Sequence, residues 1–372
     1  MTYDYVVICH SGAGRHSVAK EYIYKEDKDA VIPDIVQAAV DAVKILEDDP
    51  CTNAGYGSNL TISGKIQCDA SIMCGQSLRF GAVGCLSNIK NPIVVAEKLL
   101  TLQLQGPLLS GGRYPPSILV GKDATDWAVS NGVEYVNDSQ LITADRLKKF
   151  KQCESLLPVP EKLKKRKLSE ENRDVSKISK LDERLQTNNY DENLDTVGVI
   201  IADSLGRVVS ASSSGGILLK CDGRIGQSCM FGSGCYSEQK DDKVSVTAVT
   251  TGLGEQLMRT MLPLKACEFL TNLSFNDDEN VYEKFQLFLE RNFMKSGFVS
   301  GDLEKSFGIL CLKTEKISEN KVSIDLLYGH STPSMCFGYL SSLEKIPQTI
   351  MSRKPGSETA FVIGSMGSMF NR

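Results

Sequence analysis

The sequence of 372 residues lacks the ligand spacing of a zinc site and the long apolar run of a membrane span. Its twelve cysteines include no Cys-x-x-Cys pair, and its only histidines are His10, His16 and His330, so a zinc site of the usual kind is not expected. A Ser-His-Asp triad would need one of these histidines, and none is flanked by a recognisable nucleophile motif. No stretch approaches the roughly 20 apolar residues that cross a bilayer. We therefore expect chemistry without a metal or other cofactor, and no membrane partner.

Signals for secretion and for dinucleotide binding are also missing. The opening segment, MTYDYVVICHSGAG, has a short apolar run with no basic residue before it, which does not predict a signal peptide. Gly12-x-Gly14 lacks the third glycine and the acidic follower of a dinucleotide fingerprint, so a turn is expected there. The net charge of −4 does not favour nucleic acid over other partners. With twelve cysteines and no secretion signal, we expect reduced thiols in a nuclear or cytoplasmic protein.

The middle of the chain differs from both flanks. Residues 151–189 contain no aromatic residue and no glycine, and such a stretch cannot bury enough apolar surface to order itself. Residues 146–184 contain 13 Lys and Arg against 7 Asp and Glu, a net charge of +6 in a chain that totals −4. We expect order over about 1–150, a basic disordered linker over about 151–194, and a second ordered region over 196–372.

The flanks alternate strand and helix patterns. Two apolar runs, Val197–Asp203 and Arg207–Ser213, surround a short turn that contains Gly206 and predict a hairpin. Helices are expected at Pro33–Asp48, Asn91–Leu100, Asp123–Asn131, Gly254–Leu270 and Val281–Phe293. Further strands are expected at Tyr3–His10, Phe307–Leu312, Val322–Tyr328 and Thr359–Ile363. Strands grouped between helices predict a layered α/β sandwich.

A candidate nucleophile, Thr196, stands where the predicted linker ends. The apolar run of the predicted strand begins one residue after Thr196. A cut before Thr196 would therefore make it a new N-terminal residue, with a hydroxyl and a free α-amine, at the start of a buried strand. An α-amine, with an ordinary pKa of about 7.7–8.0, can act as the base for that hydroxyl at neutral pH. The plain alternative is that Thr196 merely begins a strand, where threonine is favoured. The Asp195-Thr196 dipeptide alone favours the plain alternative.

Nine short motifs favour Thr196 as a nucleophile, because their order and spacing resemble the type 2 asparaginase family of N-terminal-nucleophile hydrolases. They are HSGAG (His10–Gly14), TNAGYGSNL (Thr52–Leu60), CDASIM (Cys68–Met73), FGAVG (Phe80–Gly84), NP (Asn91–Pro92), DTVGVI (Asp195–Ile200), SSGG (Ser213–Gly216), GRIGQS (Gly223–Ser228) and TTGLGE (Thr250–Glu255). The resemblance covers nearly the whole chain outside the linker. It implies a four-layer αββα sandwich in which self-cleavage yields an α subunit (1–195) and a β subunit (196–372) of a single domain.

The resemblance also assigns catalytic roles around the nucleophile Thr196. Ser214 matches a second hydroxyl that contacts the nucleophile. Thr251 and Gly252 match the hydroxyl and the backbone N–H of an oxyanion hole. Two further matches, Gly12 and Asn53, are to positions that line and orient the nucleophile pocket.

Three features resemble the protein-cleaving branch of the family, the threonine aspartases, rather than its small-substrate members. The residue before the nucleophile is Asp195, where small-substrate members usually have glycine. The GRVGD signature reads GRIGQ, so Gln227 replaces an aspartate that, by resemblance, holds the free α-amine of an amino acid substrate. The linker carries clustered Lys and Arg, as nuclear members do. The chain's own site, Asn193-Leu194-Asp195, lacks the glutamine of the branch's substrate pattern two residues before aspartate, so it does not define specificity in trans.

Substrate contacts follow from the same resemblance. Arg224 matches an arginine that grips a substrate carboxylate, and its planar fork suits an aspartate side chain before the cut. Gln227 is the residue that a protease tolerates at its position, because a peptide substrate has no free α-amine there. Lys20 is a candidate second cation for the aspartate, and a solvated lysine at a helix entry is the alternative.

The sequence thus predicts a threonine endopeptidase that cleaves itself and then cleaves nuclear regulatory proteins after aspartate, through an acyl-enzyme on Thr196. By resemblance, the substrates are trithorax-type histone methyltransferases and the precursor of a general transcription factor subunit. One alternative is an L-asparaginase or isoaspartyl peptidase on the same fold. The other is a non-catalytic nuclear binding module. A fragment that begins at Thr196 would separate both enzymes from the binding module.

The basic clusters bear on location and assembly. Residues 146–151 and 162–167 each contain several Lys and Arg, separated by a short spacer, which resembles a bipartite nuclear import signal. A solvated charged linker is the alternative. No aromatic residues interleave for base stacking, so direct nucleic-acid binding is not expected. We expect an import receptor as a partner, location in the nucleus and also the cytoplasm, and a dimer of precursors or an α2β2 heterotetramer.

Overall fold

Two β-sheets form the centre of the protein. The computed structural model describes residues 4–14, 35–106, 108–156, 196–273, 281–319, 321–342, 346–356 and 358–371. The strands are β1 (Tyr5–Gly14), β2 (Cys68–Cys74), β3 (Arg79–Leu86), β4 (Ile118–Val120), β5 (Val197–Asp203), β6 (Val208–Ser214), β7 (Cys235–Gln239), β8 (Val244–Gly252), β9 (Phe307–Ser318), β10 (Lys321–His330), β11 (Ser334–Ser341), β12 (Gln348–Arg353) and β13 (Val362–Asn371). The α-helices are α1 (Ile35–Asp48), α2 (Pro92–Leu104), α3 (Gly121–Ser130), α4 (Asp138–Leu141), α5 (Ala144–Leu156), α6 (Gly254–Thr260), α7 (Leu262–Thr271) and α8 (Val281–Leu289).

Strand β5 lies in the middle of the larger sheet. This sheet has the order β12-β11-β1-β5-β6-β2-β3-β4, and the smaller sheet has the order β13-β10-β9-β8-β7. Neighbouring strands are antiparallel, apart from the parallel pair β3 and β4. Ile200 of β5 pairs with Ile8 of β1 on one side and with Ser210 of β6 on the other. The residue just before β5 is therefore held by hydrogen-bonded strands on both sides.

The apolar run of β5 is continuous because both faces of this strand are buried. Ile200 and Ala202 belong to the core between the two sheets, whereas Val199 and Ile201 pack with residues of α1 and α2 on the opposite face. Side chains alternate between the faces of a strand, so a strand covered on both sides needs apolar residues at every position. Each fully buried side chain of this size stabilises the fold by about 1.5–3 kcal/mol.

Helices cover the outer faces of both sheets. Helices α1 and α2 contact β5, β6, β2 and β3, the inner faces of β5 and β6 contact β8, and α7 contacts β7, β8 and β9. In α1, residues Ile35, Ala39, Val43 and Glu47 recur at helical spacing on the buried side. These contacts confirm the α/β class. No helix among the described residues is long and apolar enough to cross a membrane.

The hairpin at the end of the linker is confirmed. Strand β5 has the predicted bounds, and β6 begins at Val208, one residue later than predicted. The carboxylate of Asp203 shapes the turn, since its Oδ1 accepts hydrogen bonds from the N–H groups of Leu205 and Arg207, both at 3.0 Å. The turn fixes the register between β5 and β6, and with it the position of Thr196 relative to Ser214.

Several predicted elements differ in their bounds. The helix predicted over Gly254–Leu270 is two helices, because Met261 adopts a left-handed conformation with φ 47° before the turn that contains Pro263. The last strand is Val362–Asn371 rather than Thr359–Ile363. The turn predicted at Gly12-x-Gly14 is wrong, since these residues continue β1 past an irregularity between His10 and Ala13. Gly12 has φ 114°, which a residue with a side chain rarely adopts.

The start of the linker also needs correction. Helix α5 continues to Leu156, because Phe150 and Cys153 lie on a buried face of the helix. Arg146, which we assigned to the first basic cluster, is 3% exposed, and its Nε donates to the carbonyl of Gly57 at 2.6 Å. It is part of the interior and is not accessible to an import receptor. Residues 157–195, with the second basic cluster, lie outside the described residues.

Candidate active site

Thr196 immediately precedes β5, and it lines a small cleft although the residue is only 3% exposed. Its hydroxyl donates to the Oγ of Ser214 at 3.2 Å and accepts a hydrogen bond from the Nε2 of Gln227 at 3.0 Å. The Oγ of Ser214 also accepts a hydrogen bond from the N–H of Gly216 at 3.0 Å. Thr196 is thus in direct hydrogen-bond contact with both Ser214 and Gln227, the residues that motif resemblance placed at one site with it.

The turn after Ser214 is held by Asn53. The Nδ2 of Asn53 donates to the carbonyl of Gly216 at 2.8 Å, and the N–H of Gly215 donates to the carbonyl of Asn53 at 2.6 Å. Asn59 adds a second amide to the same carbonyl of Gly216 at 2.9 Å. A Cβ on Gly215 would lie 2.5 Å from the Oδ1 of Asn53, so only glycine fits there. Asn53 therefore positions the Ser214–Gly216 turn and lines the cleft, in agreement with its predicted place.

Arg224 is the charged residue of the cleft wall. The cleft is lined by Asn53, Thr196, Ser214, Gly216, Ile217, Arg224, Gln227, Gly252 and Gly254. Among these described residues there is one cation and no carboxylate. The lining thus offers a guanidinium to a negatively charged group and no carboxylate to an ammonium group, while the carboxylate partner of Arg224, Glu255, lies outside the lining.

Glu255 holds Arg224 in place. The Nε and Nη2 of Arg224 donate to the two carboxylate oxygens of Glu255 at 2.8 and 2.6 Å. Burial of Glu255 opposes its ionisation, but the hydrogen bond and the charge of Arg224 outweigh this and lower the pKa of Glu255. The Nη1 of Arg224 lies 3.0 Å from the point where a Cβ of Gly216 would be, so this nitrogen faces the turn beside the nucleophile. The motif TTGLGE contained Glu255, but its pairing with Arg224 was not predicted.

The predicted oxyanion residues occupy two different positions. Gly252 lines the cleft with φ 128°, and a Cβ there would lie 2.5 Å from the carbonyl oxygen of Ser306. Thr251 is fully buried in β8, and it does not line the cleft. Gly12 lies two residues beyond His10, the last residue of β1 that pairs with β5, opposite Gly198. The roles of these three residues stay predictions.

Two buried carboxyl groups near the site, those of Glu47 and Asp69, were assigned no role from the sequence. The Oε1 of Glu47 accepts hydrogen bonds from the Ser213 hydroxyl at 2.6 Å and the Ile93 N–H at 3.1 Å, and burial raises the pKa of Glu47 to about 8. Asp69 accepts from the N–H groups of Cys85 and Gly226 at 2.9 and 2.7 Å, and burial raises its pKa against the opposing charge of Lys220. Glu47 could have been found, since it continues the buried stripe of α1 four residues after Val43.

His10 is neutral and packed beneath the nucleophile strand. Burial lowers the pKa of His10 to about 3. A Cβ on Gly198 would lie 2.2 Å from its Nε2, so the imidazole fills the space that this glycine leaves open. The ring therefore supports β5 two residues after Thr196 and is not available as a cation for the substrate.

Two predicted site residues, Lys20 and Asp195, lie outside the described residues. Among the residues that the structure does describe, no group of three or more His, Cys, Asp or Glu side chains is placed to hold a metal ion. The twelve cysteines are all free thiols, and most are buried.

Comparison with known proteins gives one consistent result. The model of an asparaginase family, Asparaginase_2, matches residues 30–311. The chain is 33% identical over 277 residues to the plant-type L-asparaginase of Pyrococcus horikoshii, which covers 71% of this chain and 79% of that protein. It is 32% identical over 227 residues to the isoaspartyl peptidase/L-asparaginase of Bos taurus, covering 61% of this chain and 60% of that protein. The isoaspartyl peptidase/L-asparaginase of Homo sapiens is 32% identical over 253 residues, with 68% and 67% covered.

Proposed function

Because the chain belongs to the type 2 asparaginase family of N-terminal-nucleophile hydrolases, we propose that it is a threonine endopeptidase of the threonine aspartase (taspase) type. It cleaves itself between Asp195 and Thr196, and it then cleaves other proteins after aspartate. The order of contacts, helix on sheet on sheet on helix, supports a four-layer αββα sandwich for the two subunits.

The observation that carries this proposal is the charge of the cleft. A small-substrate hydrolase must bind the ammonium group of a free amino acid, and a carboxylate is the natural partner of that group. Here the lining of the described cleft contains Arg224, which is paired with Glu255 outside the lining, and no carboxylate. At the position where small-substrate members have aspartate, Gln227 is turned onto the nucleophile. An aspartate side chain within a polypeptide fits this wall better than a free amino acid does.

Self-cleavage proceeds as a transfer of the acyl group from nitrogen to oxygen. The oxygen of the Thr196 hydroxyl forms a bond to the carbonyl carbon of Asp195, and the peptide bond to the Thr196 nitrogen breaks. The proton of the hydroxyl ends on the released amine, so the product is an ester, which water then hydrolyses. The intact chain holds the nucleophile next to its target, which replaces an encounter in solution.

The same hydroxyl acts in trans once the α-amine of Thr196 is free. The amine takes the hydroxyl proton, and the oxygen attacks the main-chain carbonyl carbon of the substrate aspartate. The C–N bond to the next residue breaks, the proton passes to the leaving amine, and water hydrolyses the acyl-enzyme that remains on Thr196. In this proposal Arg224 holds the aspartate side chain, and Gly252 donates its N–H to the oxyanion. Thr251 and Lys20 are proposed to assist at the oxyanion and the aspartate respectively.

A second candidate function is hydrolysis of asparagine or of isoaspartyl peptides. The names of the relatives favour it, since they are L-asparaginases and isoaspartyl peptidases. On this alternative, Arg224 would bind the α-carboxylate of a free amino acid. The two functions differ in whether the substrate needs a free α-amine.

Mass spectrometry of the purified chain tests the first step. We expect two fragments, the second beginning at Thr196, and a full-length folded chain for Thr196→Ala, because the substitution removes the hydroxyl that attacks Asp195. Cleavage of Thr196→Ala after residue 195 would show that another protease makes the cut.

Two substrates then separate the candidates. The cleaved protein should hydrolyse a peptide with internal aspartate, and it should leave free asparagine intact. Arg224→Ala should remove peptide cleavage, while self-cleavage partly survives because its substrate is already in place. Hydrolysis of free asparagine at a rate equal to or above that of the peptide would assign the chain to the small-substrate branch.

Location and partners are proposed on the linker and on the resemblance. We propose that the second basic cluster, 162–167, binds an import receptor and directs the protein to the nucleus, with a cytoplasmic fraction. The proposed substrates are trithorax-type methyltransferases and a general transcription factor precursor, and the proposed assembly is a dimer of precursors that becomes an α2β2 heterotetramer.

A further inference from the structure

The side chain of Gln227 is directed at the nucleophile. Its Nε2 donates to the Oγ1 of Thr196 at 3.0 Å, while Thr196 donates its own proton toward Ser214. Gln227 is 3% exposed, so water does not compete for this hydrogen bond. An amide N–H that points at a hydroxyl oxygen stabilises negative charge on that oxygen.

We propose that Gln227 is a catalytic residue of self-cleavage, whose amide N–H stabilises the alkoxide character that develops on Thr196 during attack on Asp195. This inference rests on the proposed function. In the step itself the Oγ1–H bond of Thr196 breaks on the side of Ser214. The Oγ1–C bond to Asp195 forms, the C–N bond breaks, and the proton ends on the released nitrogen. Gln227 transfers no proton, and its N–H stabilises the negative charge that develops on the Oγ1 of Thr196.

The surrounding backbone fixes Gln227 in this orientation. Its carbonyl accepts a hydrogen bond from the N–H of Met230 at 2.9 Å, which closes the short helical turn Gln227–Cys229. A Cβ on Gly254 would lie 2.7 Å from the Oε1 of Gln227, so the first residue of α6 leaves room for the amide only because it is glycine. The donor is therefore preorganised, and it does not need to reorient when charge develops.

The identity of residue 227 decides the sign of the interaction. The amide of Gln227 can donate, whereas an ionised carboxylate in its place could only accept and would repel an alkoxide at the same distance. The GRVGD signature reads GRIGQ in this chain. We therefore interpret Gln227 as a hydrogen-bond donor to the nucleophile, which also removes a carboxylate that would bind a substrate amine.

Two variants test the proposal through the first-order rate constant of self-cleavage, followed by intact-mass spectrometry. Gln227→Met keeps the length of the side chain and removes the donor. We expect a decrease of about 10- to 100-fold, the value of a hydrogen bond to a charged group. Gln103→Met is the matched control, because Gln103 is also buried and donates to the carbonyl of Phe80, but lies on α2. We expect little change in its rate.

Gln227→Glu distinguishes a catalytic role from a structural one. The carboxyl group that this substitution introduces can donate when it is protonated, as the amide does, and cannot donate when it is ionised. The rate constant relative to wild type should therefore be near one at acidic pH and fall as pH rises through the pKa of the new carboxyl group. A purely structural role predicts the same relative rate at every pH.

The outcomes separate the two levels of the proposal. If the wild type produces the Thr196 fragment and Gln227→Met does so at an equal rate, the assignment of Gln227 is overturned and self-cleavage stands. A Gln227→Glu ratio that is flat with pH also overturns it. If the wild type produces no fragment beginning at Thr196, the proposed function fails, and the role of Gln227 fails with it.

Discussion

Replacing Arg146 by Met should destabilise the protein far more than an exposed substitution on the same helix. The guanidinium donates to the carbonyls of Gly57 and Thr52 at 2.6 and 3.1 Å and to the Oδ1 of Asn59 at 3.4 Å. Methionine fills much of the same volume but donates nothing, so buried acceptors lose their partners. The perturbation therefore isolates the hydrogen bonds from the packing of the side chain.

The magnitude follows from these contacts. Each buried acceptor left without a donor costs about 1–3 kcal/mol, and two of the three distances are those of strong hydrogen bonds. Part of this cost is offset, because the variant no longer buries a charge. We expect a net loss of about 3 kcal/mol in the free energy of unfolding. At about 2 °C per kcal/mol, this is a decrease of about 6 °C in Tm.

The assay is thermal and urea unfolding of Arg146→Met and Lys148→Met, each in the Thr196→Ala background so that every chain remains in one piece. Lys148 is exposed on the same helix, and its substitution should change the stability by no more than about 0.5 kcal/mol. Equal stability of the two variants would refute the reasoning, since it would mean that Arg146 is solvated like its neighbours and belongs to the basic cluster after all.

Two further predictions concern the buried carboxyl group of α1 and the linker. Burial raises the pKa of Glu47 to about 8, above its unfolded value, so the contribution of Glu47 to stability is present at low pH and is lost as pH rises through 8. The Tm of Glu47→Gln minus that of wild type should therefore increase between about pH 5 and 9, and a constant difference would contradict the shift. Deletion of 157–186 should leave self-cleavage intact, because closure entropy changes by only about 0.6 kcal/mol per doubling of loop length. The same deletion should move the protein to the cytoplasm, as fluorescence microscopy of a tagged chain would show; a deleted form still concentrated in the nucleus would place the import signal elsewhere.

The sequence predicted those parts of the fold in which one local pattern dominates. Val197–Asp203 is buried on both faces, so its apolar run has no interruption and its bounds were predicted correctly. The break at Met261 was missed because helical spacing continues across it, although Pro263 in the first turn of α7 is a sequence signal for the start of a helix. Strands β2, β3, β4, β7, β8, β11 and β12 were not predicted either. β4 has only three residues, and in the others serine, threonine, glycine or cysteine interrupts the apolar pattern.

The composition of the site was predictable, but the directions of its side chains were not. Motif resemblance brought Ser214, Asn53 and Gln227 to one place, and the structure places them there. A motif gives the order of residues along the chain, whereas the target of a side chain depends on residues that are distant in sequence. Arg146 shows the same limit, because a basic residue beside a basic run has the sequence signature of a solvated lysine-rich segment and is nevertheless buried.

The pairing of Arg224 with Glu255 limits how the cleft can bind an anion. Glu255 takes the Nε–H and one N–H of Nη2 at 2.8 and 2.6 Å, so a substrate carboxylate meets the remaining N–H groups on Nη1 and Nη2 unless it displaces Glu255. Because Glu255 fixes the plane of the guanidinium, the directions of these remaining donors are set before a substrate binds, which lowers the cost of binding. Recognition of aspartate would then depend on where Arg224 is held rather than on its charge alone, and Glu255 is the residue that holds it.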